Sequence, residues 1–234
     1  MAERIQIYRY LDSDAALKTL VSGAFKVGRI SKFNDPFEWR FGAFNPRPDD
    51  HKKIERLLQL LHRQLEPRIG IICFSKVIND PVLWSLYADK HQGVAFELEH
   101  EWRDSDILHM AYSDNRPQVD LRRIEEIGRA NTWDTEFEDY IRPTANIFWQ
   151  QKSSNWSFEK ESRLTVDLTN PKHCFESNGS HYWPIPKIFL KRIILAFQCP
   201  LEELHVEKLL KMNGFEAAKV VRARICSQTY TILC

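Results

Sequence analysis

Two glutamates and an arginine occupy alternate positions in the stretch NWSFEKESR, residues 155–163. Side chains of a strand alternate between faces, so Glu159, Glu161 and Arg163 would share one face of an extended segment. Two carboxylates so placed raise one another's pKa unless a cation intervenes, and Arg163 is the cation at hand, with Lys152 a second. The chemistry open to such a group is acid–base work or stabilisation of a developing positive charge. A self-neutralising strand surface is the structural alternative.

Three other stretches carry groups of the same interest. IYRY sets Arg9 between Tyr8 and Tyr10, a planar guanidinium suited to phosphate oxygens beside rings able to sandwich a flat ligand. FNDPFE is a turn in which Asn34 and Asp35 can bond their own backbone, Phe33 and Phe37 would anchor the loop, and Glu38 adds a charge. In LWSLYADKHQG, helical spacing puts Trp84, Tyr87 and His91 near one another, as a core stripe or as a stacking wall. Ser85 lacks the surroundings of a nucleophile elbow.

These groups need elements to hold them. IQIYRYL reads as a first strand, and SDAALKTLVSG as a short helix opened by Ser or Asp and stopped at Gly23. AFKVGRI is a further extended piece. Residues 50–66 bring Ile54, Leu57, Leu58, Leu61 and Leu65 to one side of a helix that Pro67 ends. RIGIICFS is a continuous apolar run expected at the centre of a sheet. DPVLWSLYADKHQG predicts a helix with Asp80 as cap, Pro81 at its first position and Gly93 after its end. GVAFELE and ILHMAYS read as paired strands, 117–150 as helical, and 156–167 as the strand carrying the carboxylates. PKHCFESNGSHYWPIP reads as an irregular surface loop. KRIILAF, PLEELHVEKLLKMNGF, VVRARI and TYTIL close the chain as strand, helix and strands. Strands and helices mix without regular βαβ alternation, which predicts an α+β single domain over 1–234, a mixed, largely antiparallel sheet with helices packed on it.

Composition narrows the function. Lys and Arg number 33 against 32 Asp and Glu, a formal charge of +1 that excludes a strongly polybasic nucleic-acid binder. Hydrophobic residues make up 43%, enough for a sizeable core. Five cysteines without a C-x-x-C pair, and no signal-like apolar run after MAERIQ, predict a reduced cytoplasmic protein. No stretch is long and apolar enough to cross a membrane, so no membrane partner is expected. His173, Cys174 and His181 are the nearest approach to a zinc site, and no metal site is expected there. Dinucleotide-fold, P-loop, zincin and kinase motifs are absent.

IYRY, FNDPFE, LWSLYADKHQGVAFEL and KSSNWSFEKESR, taken together and in that order, resemble a bacterial family catalogued as domain of unknown function 2971. The resemblance spans most of the chain. Members of that family look distantly similar to ADP-ribosyltransferases, and some sit in toxin–antitoxin or phage-defence settings. It implies an ADP-ribosyltransferase-like cleft and an NAD-consuming glycosyltransferase. ADP-ribose would pass to a nucleic acid or protein acceptor, or to water in a glycohydrolase, and an antitoxin or immunity protein would be a further partner. By the same resemblance Arg9, Tyr10, Asn34, Asp35, Trp84, Tyr87 and His91 would hold NAD as substrate. Loss of nicotinamide passes through an oxocarbenium-like state that a carboxylate beside the ribose stabilises. Glu161 or Glu159 would supply it, with Glu161 preferred because Arg163 can orient it. The chain lacks the serine–threonine–serine and Q-x-E patterns of better-known members. Two rivals are a nuclease holding Mg²⁺ on Asp35, Glu38, Glu159 and Glu161, and a non-catalytic sensor binding a nucleotide or partner in an aromatic groove.

Overall fold

The computed structural model describes residues 3–44, 47, 48, 50–102, 107–123 and 149–234. Most of the segment expected to be helical at 117–150 lies outside them. The chain divides into two compact units: residues 1–28, 70–108 and 159–234 form the first, and 29–69 with 109–158 the second.

The fold is mixed α/β, dominated by strands. Seven strands, numbered within the sheet, build the first unit: β1 (Glu3–Leu11), β2 (Ile69–Ser75), β3 (Val94–Trp102), β4 (Ile107–His109), β5 (Glu161–Asp167), β6 (Leu190–Leu195) and β7 (Lys219–Arg222). Their spatial order is β7-β6-β3-β1-β2-β5-β4. β1 runs antiparallel to β3 along its whole length, from Glu3 opposite Trp102 to Leu11 opposite Val94. β3 is antiparallel to β6, and β1 to β2, while β6 and β7 are parallel. The parallel pair follows from the helix α4 (Glu203–Met212), which carries the chain back over the sheet between them.

The apolar run IGIICFS forms β2 in the sheet interior, with Ile71, Ile72 and Phe74 buried. Ile7, Phe25, Trp84, Phe96, Ile193 and Ile194 join Ile72 and Phe74 in one core. Helix α1 (Ser13–Ser22) begins where the Asp12 side chain accepts from the Ala15 N–H at 2.7 Å, and it stops at Gly23, whose φ of 65° suits glycine.

Four expectations are corrected. GVAFELE pairs with β1 and β6, not with ILHMAYS. The latter is broken into β4 and a short strand Ala111–Ser113, which pairs with Gln151–Ser153. The presumed loop at 171–186 contains a hairpin, Phe175–Ser177 with Ser180–Pro184, turned by Asn178 and Gly179 at φ 49° and 68°. Asn-Gly is the favoured pair for two successive left-handed residues, so this signal was readable. The helix α3 (Pro81–Tyr87) keeps its Asp80 cap but ends at Tyr87. Asp89, Lys90 and His91 are all left-handed, and Gly93 is packed against the Leu11 carbonyl, where a Cβ would lie 2.2 Å from that oxygen. The chain therefore turns sharply before β3 and leaves no room for another helical turn.

The second unit has its own small core. Helix α2 (Asp50–Leu65) buries Leu57 and Leu58 against Phe41, Ala43, Val119 and Leu121, with Ile54, Leu65 and Trp149 packed at its edge. This is the apolar stripe its spacing predicts; the Leu61 side chain lies outside the described residues. Among the described residues no helix is long and apolar enough to cross a membrane.

Candidate functional site

In the first unit the carboxylates sit around the start of β5. The extended segment expected over 156–167 begins only at Glu161; Ser154–Glu159 is a 3-10 helix, and Lys160 between them is left-handed at φ 45°. Glu159 and Glu161 therefore do not alternate along one strand. The local reason is a hydrogen bond of 2.6 Å from the Ser75 hydroxyl to the Glu159 carbonyl, with Lys76 N–H donating to the Lys160 carbonyl at 3.1 Å. Both bonds fasten the turn to the end of β2 before β5 starts.

Glu161 and Arg163 do share a face of β5, and they are locked together. Arg163 donates from Nε to Oε1 at 2.8 Å and from Nη2 to Oε2 at 3.0 Å. The Arg163 side chain is 1% exposed and that of Glu161 6%, so this is a buried bidentate pair. Cys73 lies beside it on β2. Burial, then the Glu161 charge, push the Cys73 thiol well above its ordinary pKa. Sequence reasoning missed Cys73, because nothing in IGIICFS distinguishes it from an apolar core residue.

Glu159, also buried, has a different partner: the Tyr87 hydroxyl donates to its Oε1. Tyr87 is half-buried at the end of α3, while Trp84, one turn earlier, is wholly in the core. The Trp84 ring meets Tyr10 edge-on at 5.1 Å, and its Nε1 donates to the Ile78 carbonyl at 2.6 Å. Tyr10 donates to the Val77 carbonyl at 2.7 Å, and burial raises its pKa. Trp84 and Tyr10 thus form a packed pair. His91 lies beyond the helix with its ring against Phe197 at 5.3 Å, and its Nδ1 is buried without a hydrogen-bond partner.

Arg9 spends its fork on the protein. Nη1 donates to the Cys73 carbonyl at 2.9 Å and Nη2 to the Lys26 carbonyl at 3.4 Å, with the guanidinium 5.4 Å from the Phe25 ring centre. Burial lowers its pKa.

Asn34 and Asp35 belong to the second unit. The expected Asx turn forms: Asp35 Oδ1 accepts from the Phe37 N–H at 2.9 Å. Asn34 is exposed. Phe37 does not anchor the loop in the core as expected, being 54% exposed; Trp39 does so instead, packed against Trp149 at 5.3 Å. Its φ of 59° turns the backbone so that the indole, rather than Phe37, faces inward. Next to Asp35, Glu38 forms a buried ion pair with Lys152 at 3.2 Å, their side chains 2% and 4% exposed. Lys152 also lies 4.8 Å from the Trp156 ring centre. Asp35, Glu38 and Lys152 line one cavity.

Among the described residues no group of three or more His, Cys, Asp or Glu side chains is placed to hold a metal ion. No protein family, curated protein or solved structure matches this chain.

Proposed function

We propose that the chain is an ADP-ribosyltransferase-like enzyme that cleaves NAD, with Glu159 as the carboxylate beside the ribose. The observation that carries this reading is the hydrogen bond from the Tyr87 hydroxyl to Glu159 at the turn entering β5. A phenol donating to one carboxylate oxygen fixes the orientation of the group, and the carboxylate is an acceptor of the kind a ribose hydroxyl needs. Glu161 is the poorer candidate on the same grounds, because Arg163 engages both of its oxygens and offsets its charge. Glu161 and Arg163 then act as positioning residues that fix the start of β5.

In the reaction the C1′–N bond of the nicotinamide riboside breaks, and its electron pair leaves with nicotinamide. Positive charge grows on the ribose, and Glu159 stabilises it by charge and by accepting from the 2′-hydroxyl. A nucleophile on nucleic acid or protein forms the new bond to C1′ and releases its proton; with water the product is free ADP-ribose. In a cytoplasmic toxin or phage-defence setting, an antitoxin would restrain this activity.

Nicotinamide release from NAD, followed chromatographically, tests the reading. Glu159→Gln should lower turnover about 10²–10³-fold with NAD binding retained, because the charge acts mainly in the transition state. Glu161→Gln should lose stability before it loses activity per folded molecule. A folded Glu159→Gln protein with unchanged release would overturn the assignment, and no release by the wild-type protein with any acceptor class would overturn the function.

A further inference from the structure

The second unit holds a polar cavity of about 240 Å³ whose wall includes Asp35, Phe37, Glu38, Asn115, Arg116 and Lys152. Asp35 is 4% exposed, and its Oδ2 is buried without a hydrogen-bond partner. A carboxylate in that position loses its hydration and gains only one backbone N–H in return, at Oδ1. The nearby cations have other engagements. Lys152 pairs with Glu38, Arg40 pairs with Glu55 at 2.7 Å, and Arg116 stacks over the Phe37 ring at 4.8 Å.

We infer that this cavity binds a small organic cation, a primary ammonium or guanidinium group whose N–H donors reach Asp35 Oδ2. The ligand class follows from what the wall lacks. An anion would meet Asp35 beside Glu38, with Lys152 already paired to Glu38. A neutral sugar would supply donors but leave the carboxylate's charge uncompensated in a low-dielectric site. A divalent metal asks for six or more oxygen ligands, and among the described residues no such cluster exists. The cavity lies below the roughly 300–1,000 Å³ typical of sites for drug-sized ligands, which limits the occupant to a few-atom head on a short stem. The Phe37 ring shows that a guanidinium is already accepted at the cavity mouth. The site lies within the second unit and does not depend on the NAD reading.

Isothermal titration of the whole chain with agmatine and with methylguanidine tests the proposal, with ribose, inorganic phosphate and magnesium chloride as competing probes. Agmatine should bind, and Asp35→Asn should weaken it by about 10- to 100-fold, the worth of a charge-assisted hydrogen bond. The substitution keeps the Oδ1 acceptor for Phe37, so the turn survives. Removing an uncompensated charge should leave the melting temperature of the free protein unchanged or higher. The proposal is overturned if agmatine binds Asp35→Asn as well as the wild type, or if neither amine binds at millimolar concentration. Preferential binding of ribose, phosphate or magnesium over the amines overturns it equally. Arg116→Ala tests for self-occupancy: agmatine binding seen only in that variant also overturns the proposal, because the chain's own guanidinium then fills the site.

Discussion

Each unit buries a carboxylate against a cation, and the two pairs differ in how completely they satisfy one another. Glu161 and Arg163 meet through two N–H···O bonds on a single strand. Glu38 and Lys152 come from a loop and a short strand, and next to them Asp35 keeps an oxygen without a hydrogen-bond partner. A rigid fork facing a carboxylate closes upon itself and offers nothing to a ligand. The Asp35 Oδ2 atom, buried beside the second pair without a hydrogen-bond partner, leaves a donor to be supplied from outside. The difference separates a group that holds a fold together from one that receives a molecule, though both read as charged clusters.

The largest effect should come from breaking the closed pair. Arg163→Met leaves Glu161 buried without its main counter-charge, a loss of about 3–5 kcal/mol. Replacing both partners by apolar residues, Glu161→Leu with Arg163→Met, should recover most of that loss, because the cost lies in the unpaired charge and not in the missing bond. Urea denaturation of the two variants measures this. A single variant within 1 kcal/mol of the wild type would mean that water reaches the pair, and the contrast with Asp35 would fail.

Much of the sheet was legible because its strands are bounded by strong local signals. The Asp12 cap, the Gly23 stop and the apolar run of β2 each contain their own cause within a few residues. Pairing was less legible: β3 lies between β1 and β6, partners about ninety residues away on either side, and no local pattern records that choice. The carboxylate face failed for a related reason. Alternation in FEKESR is sound for a strand, but the Ser75 hydroxyl and Lys76 N–H capture the carbonyls of Glu159 and Lys160 and set the strand's start at Glu161. The residue types were readable, while their roles depended on contacts from β2. Likewise, the Asx turn at Asp35 follows from its own side chain, whereas the open Oδ2 depends on which cations are spent elsewhere.

Aromatic residues sharpen the comparison at the next scale. Trp84 is fully buried against Tyr10, so Trp84→Ala should cost about 3–5 kcal/mol in chemical denaturation. Tyr87, half-buried on the same helix, donates to the Glu159 carboxylate, and losing that bond in Tyr87→Phe should cost about 1.5–3 kcal/mol. Its effect on nicotinamide release should exceed what the lost stability explains if Glu159 is the working carboxylate. Equal stability losses for the two variants would place Tyr87 with the core and remove it from the site.

Phe37 should give the smallest effect on folding, and it bears directly on the open cavity. Its ring is 54% exposed and carries the Arg116 guanidinium on one face, while Trp39 anchors the loop through Trp149. Truncation to alanine therefore removes little buried area, and stability should stay within about 0.5 kcal/mol of the wild type. The backbone N–H of residue 37 still reaches Asp35 Oδ1, so the turn is kept. What changes is the aromatic wall at the mouth of the cavity, a cation–π contact worth about 0.5–1 kcal/mol at an exposed site. Agmatine affinity should fall by a factor of about two to five, well short of the loss for Asp35→Asn. Parallel thermal melts and titrations of the two variants make the comparison. A Phe37→Ala protein destabilised as strongly as Trp84→Ala would show that the loop tip belongs to the core of its unit, and that the ring supports the fold rather than a ligand.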